Sequence, residues 1–191
     1  MAKGDHRVKA TEILIEEHRI IERVLSALER ATNRLSKGQD VYLRFFSGTT
    51  VFIKKFADGC HHQKEEGILF PALIANGLSK ESGPVAVMLA EHEEGRLLAQ
   101  KMRQALERLQ SSDEAARNDL VQNAQGYIKL LRQHIYKEDN ILFPMADKVI
   151  PADQQQQILD AFNLVERDET GEDVHEKYLG LAARLEQECL R

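Results

Sequence analysis

The chain has 191 residues, 42% hydrophobic and 30% charged, and carries a net charge of −5 with both signs interspersed. That is enough for one domain with a real core, and it leaves no basic stripe of the kind a nucleic-acid binder needs. No stretch approaches the roughly 20 apolar residues of a membrane span. The opening Met1-Ala2-Lys3-Gly4-Asp5-His6 lacks the apolar run of a signal peptide, and Cys60 and Cys189 make no disulfide framework, so a reducing cytoplasm is expected.

Apolar residues recur at helical spacing nearly throughout, without convincing strand alternation. After an N-terminal tail over 1–10, a first helix is expected from Thr11 to Leu35, with Leu14, His18, Ile21, Leu25 and Leu28 on one seam. A turn over 36–40 follows, with Asp40 placed to cap a second helix over about 41–66. Its stripe is Phe46, Thr50, Ile53, Ala57, His61 and Glu65, and Leu69-Phe70-Pro71 marks its end or a kink. Pro84 suits the first position of a third helix carrying Val85, Leu89, His92, Arg96 and Ala99 on one face. Ser111 and Glu114 read as a capping box opening a fourth helix, with Tyr127, Leu131, His134 and Glu138 as its stripe and Leu142-Phe143-Pro144 after it. Pro151 is expected to open a helix reaching Val165. A turn at Thr170-Gly171-Glu172 then precedes a last helix from Val174 to Leu190. The reading is all-α: an up-down-up-down four-helix bundle over 11–147, with two further helices in a C-terminal extension over 151–191.

The bundle contains an internal duplication, 11–76 against 84–147. Glu17-His18 matches Glu91-His92 at an offset of 74, while His61 and Glu65 match His134 and Glu138 at an offset of 73. Leu69-Phe70-Pro71 matches Leu142-Phe143-Pro144 at the same offset of 73. Each half is therefore a helical hairpin giving one histidine from its first helix and a histidine-xxx-glutamate pair from its second. Residues four apart on a helix share a face, so each pair projects together. Histidines and carboxylates facing a core are costly unless something binds them, and a metal pair would offset that cost. Two glutamates can each bridge two ions while each ion takes two imidazole nitrogens, a donor set that suits iron or manganese. It leaves room at each ion for a bridging oxygen and an open position. The candidate ligands are His18, His61, Glu65, His92, His134 and Glu138.

At these residues the sequence resembles the hemerythrin-like, HHE cation-binding family, over roughly residues 10–147. The stretch 171–178 is also similar to the tail of longer family members. The resemblance implies a non-haem di-iron centre, with manganese or zinc as other occupants, that interacts with oxygen, nitric oxide or peroxide. Oxygen-carrying hemerythrins have a second histidine one turn after the third-helix ligand, where this chain has Arg96. They also close with a histidine and an aspartate five apart, where this chain has Glu138 four after His134. The set of four histidines and two glutamates is more similar to the family's iron-centre repair proteins, although no cysteine-bearing N-terminal domain precedes it here.

Around the six candidates the bland readings prevail. His62 and Glu66 stand about 100° round an α-helix from His61 and Glu65, and their matches are Ile135 and Asp139, so a solvated or supporting role is expected. Glu22 is a weaker ligand candidate. Arg96 either pairs with a glutamate near the site or extends outward. His6 and His175 read as surface residues, Cys60 as inert, and Tyr127 and Tyr136 as packing or pocket lining. Three functions follow: a protein that binds or senses oxygen or nitric oxide or donates iron, an enzyme acting on peroxide or nitric oxide, and a metal-stapled bundle. Open coordination positions argue against the staple. No further acid, base or nucleophile stands out, which favours binding. The appended helices either cover the bundle or form a homo-oligomer.

Overall fold

The computed structural model describes residues 9–170 and 174–189, with side chains over 9–167 and 176–189. His6, the side chain of His175 and most of the turn expected at 170–172 lie outside the described residues. The described chain is all-helical, with six helices. Helix α1 spans Ala10–Ser36. Helix α2 runs over 43–75: Leu43–Phe52 is α-helical, Ile53–His62 and Glu65–Leu69 are π-wound, and Phe70–Ala75 is α-helical again. Helix α3 is Gly83–Gln110. Helix α4 runs over 116–149, with π winding at Glu138–Leu142 between Ala116–Lys137 and Phe143–Val149. Helices α5 and α6 are Gln155–Thr170 and Val174–Glu188.

The end or kink expected at Leu69-Phe70-Pro71 is not an end, and the fourth helix likewise runs on through Leu142-Phe143-Pro144. A proline removes one backbone N–H and crowds the carbonyl four residues back. In both halves the turn before it is wound i→i+5, which widens the helix there and lets it run on. Two cap expectations also change. Tyr42, not Asp40, precedes α2, and Asp40 instead offers its carbonyl to Arg34. Ser111 closes α3 by donating to the Glu107 carbonyl, and α4 begins at Ala116 after Asp113 accepts the Ala115 N–H. Pro151 opens a turn, and α5 begins only at Gln155.

Helix α1 packs on α2 and α4, and α3 on α2 and α4, so each of the four has two of the others as neighbours. Their seams meet in two apolar layers. One layer holds Leu25, Leu28, Phe45, Phe46, Phe56, Met102 and Leu131; the other holds Leu14, Phe70, Leu73, Val85, Met88 and Phe143. Helix α5 closes the second layer with Ile158 and Phe162, and α6 closes the first with Tyr178, Ala182 and Leu185. The appended helices therefore cover the other four, tied down by Arg23–Glu186 at 2.8 Å and Lys64–Glu166 at 2.6 Å. No helix among the described residues is long and apolar enough to cross a membrane.

Candidate metal centre

Between the two apolar layers lies a polar one. His18 from α1, His61 and Glu65 from α2, His92 from α3, and His134 and Glu138 from α4 are all buried there. The six sequence candidates are thus brought together from four helices. The imidazoles form two pairs: Nε2 of His18 lies 3.0 Å from Nε2 of His61, and Nε2 of His92 lies 3.1 Å from Nε2 of His134. Glu138 Oε2 reaches across both pairs, 3.2 Å from His18 Nε2 and 3.1 Å from His134 Nε2. Glu65 does the same with separate oxygens, 3.6 Å from His61 Nε2 and 3.4 Å from His92 Nε2.

The outer nitrogens explain why the inner ones converge. Nδ1 of His61 is 2.9 Å from Glu17, and Nδ1 of His134 is 3.1 Å from Glu91. Nδ1 of His18 is 2.7 Å from Asp139, and Nδ1 of His92 is 2.6 Å from Glu66. A carboxylate on Nδ1 keeps the proton there and turns the Nε2 lone pair inward, the arrangement that supports a metal-bound histidine. Lys64 and Lys137 in turn hold Glu17 and Glu91.

This donor set fits a metal. Two Nε2 lone pairs at hydrogen-bonding distance repel unless a proton or a cation lies between them. Neighbouring nitrogens about 2.1 Å from an octahedral ion stand about 3.0 Å apart, and both pairs have that spacing. All four oxygens of Glu65 and Glu138 are buried without a hydrogen bond of good geometry. Such orphans are rare unless an ion completes them. Burial, and then the charge of Glu138, pushes the Glu65 carboxyl well up, as expected of two adjacent buried carboxylates with no cation between them. Burial holds His61 well below the ordinary imidazole range and so ready to coordinate. Burial also opposes charge on His134, but the Glu138 and Glu91 carboxylates outweigh it and raise that imidazole to about 9.

Some neighbours meet expectation and others depart from it. His62 is not solvated: it is buried, and its ring stacks on His92 with centroids 3.8 Å apart. The 100° argument fails because the helix is π-wound at Ile53–His62, so each residue turns through less than the α-helical angle and both histidines face inward. Glu66 supports His92 and Arg96 together, and Arg96 also pairs with Asp58 at 2.7 Å. Glu22 lies outside the cluster, 3.5 Å from Arg132. Cys60 is buried in the apolar layer. Tyr127 lines a cavity beside His62, whereas Tyr136 is 65% exposed. Glu66 thus takes the supporting role expected of it, while the roles of Glu17, Glu91, Lys64, Lys137 and Asp139 are not among the sequence expectations. The duplication carried the signal: Glu17 and Glu91 repeat at 74, while Lys64 with Lys137 and Glu66 with Asp139 repeat at 73.

A helical fold with a buried, histidine-rich polar layer of this kind defines a metal-binding helical protein. The chain belongs to the hemerythrin HHE cation-binding domain family, whose model matches residues 9–146. It is 26% identical over 180 residues, 94% of this chain and 70% of the other, to uncharacterized proteins of Mycobacterium bovis and Mycobacterium tuberculosis. It is 34% identical over 89 residues to the iron-sulfur cluster repair protein YtfE of Salmonella paratyphi B, covering 45% of this chain and 40% of that one. No solved structure matches.

Proposed function

We propose that this is a di-iron protein that captures or senses oxygen or nitric oxide, or releases iron to damaged clusters. In this reading residues 11–147 form an up-down-up-down four-helix bundle of two duplicated hairpins, 11–76 and 84–147, with 151–191 as a cover. His18 and His61 would hold one ion and His92 and His134 the other, with Glu65 and Glu138 as the carboxylates available to both. The observation that carries the reading is the pairing of Nε2 atoms at 3.0 and 3.1 Å beside four orphaned carboxylate oxygens. Two iron ions would supply a redox-active Lewis-acid pair with positions left for a small ligand. The chain's own residues fix the histidine tautomers through Glu17, Asp139, Glu66 and Glu91, and the apolar layers exclude bulk water. The iron-donating branch draws on the likeness to YtfE, a cluster repair protein.

The test is elemental analysis of the freshly purified protein, followed by visible spectra with oxygen, nitric oxide and peroxide. Two irons per chain and a reversible ligand band without turnover are expected. Steady consumption of peroxide would replace binding with catalysis, and stoichiometric zinc without a charge-transfer band would mean a structural staple.

A further inference from the structure

The duplicated layer is broken at one place: His62 stands where the second half has Ile135. Its side chain is 6% exposed, yet neither ring nitrogen has a hydrogen-bond partner. The nearest carboxylate, Asp58, is 3.5 Å from Nδ1 and is committed to Arg96 at 2.7 Å. A buried imidazole with two unused nitrogens is costly unless something visits it.

His62 lies close enough to Glu65, His92 and His134 to suggest a ligand, but its ring geometry argues otherwise. The ligand pairs His18–His61 and His92–His134 have centroids 4.6 and 4.7 Å apart with planes at 56° and 62°. His62 instead lies 15° from parallel to His92 at 3.8 Å. A metal lies in the plane of the imidazole that binds it, and two nearly parallel rings at that spacing cannot both hold one ion in plane. In this conformation His62 is a neighbour of the ligands.

A cavity of about 210 Å³ leads to it. Asp58, His62, Gly95, Arg96, Arg103 and Tyr127 are among its walls, and exposed Lys54 and Gln100 stand at its mouth. Three cations face it against one carboxylate. Arg96 is spent on Asp58, Glu66 and Glu93. Lys54 and Arg103 have no ion-pair partner among the described residues, so two uncommitted cations stand beside the cavity.

We propose that this cavity admits a small inorganic anion to the His92–His134 side of the centre, with His62 as the hydrogen-bonding group that positions it. The anion is of the size of azide, nitrite or hydroperoxide, and the space also holds several waters at about 30 Å³ each. The imidazole is on this side alone, since Ile135 occupies the matching position in the other half. The inference rests on the di-iron reading and adds to it which ion is approached, by what class of ligand and past which residue.

The probe is azide, followed by stopped-flow absorbance on the diferric full-length protein, with iron content measured on every variant. His62→Leu is expected to keep the wild-type iron content while weakening azide affinity roughly tenfold or more, through loss of one hydrogen bond to an anion. Arg103→Gln, a half-exposed change that leaves the core intact, is expected to slow azide association severalfold at low salt and to flatten its salt dependence. Loss of one iron in His62→Leu would make His62 a ligand and overturn the proposal. Unchanged azide kinetics in both variants at full iron content would overturn it while leaving the di-iron reading standing. A wild-type chain that binds fewer than two irons would instead remove the reading on which it rests.

Discussion

Glu17 and Glu91 are not among the candidate ligands, yet each fixes the ring whose Nε2 points inward. Glu91→Ala should therefore lower metal affinity about ten- to a hundredfold while the fold persists, measurable by competition with a chelator. Protons obey the same geometry. In the metal-free protein the His134 imidazole is raised from 6.5 to about 9 by its carboxylate neighbours. Its contribution to stability is present below about 6.5 and is lost as pH rises through about 9. A metal ion takes the place of that proton, so loading at pH 8 should release acid into weak buffer, and acidification should expel the metal. Uptake with no proton release would contradict the assigned role of His134. The six candidate ligands were legible in the sequence because the duplication marks them twice. Their supporting carboxylates repeat just as faithfully, but a glutamate beside a histidine on a charged helix looks like any solvated residue until the partner helix is in place.

At the scale of elements, the π winding in α2 and α4 is what sequence periodicity missed. Counting in steps of three and four placed the stripe Phe46 to Glu65 correctly, since every member is buried, but it could not show that the turn changes between them. Of the two π segments in α2, Ile53–His62 carries the inward-facing His62 and Glu65–Leu69 lets the helix run past Pro71. The caps failed for local reasons: the Ser111 hydroxyl donates to the Glu107 carbonyl of the helix before it, and the Asp40 carbonyl accepts from the Arg34 guanidinium. The appended helices make their own prediction. Phe162 of α5 is fully buried against the layer that holds Phe70 and Phe143. Phe162→Ala should cost about 3–5 kcal/mol in chemical denaturation. It should also loosen the Lys64–Glu166 tie, seen as faster proteolysis within α5. A variant as stable as the wild type would mean that α5 is dispensable.

For the whole molecule, the buried polar layer sits between two apolar ones and holds four carboxylate oxygens without a hydrogen-bond partner. Metal removal should accordingly lower Tm, and metal addition should raise it in proportion to the logarithm of free metal above Kd. The helical class could be read from hydrophobic spacing. The covering role of α5 and α6 could not, because an amphipathic helix shows that it buries a face without showing against what. The most direct measurement is anomalous diffraction at the iron edge from crystals of the iron-loaded protein. The account predicts two peaks about 3.5–4 Å apart, one beside the Nε2 atoms of His18 and His61 and one beside those of His92 and His134, with Glu65 and Glu138 between them. A single peak, or peaks away from these nitrogens, would contradict it.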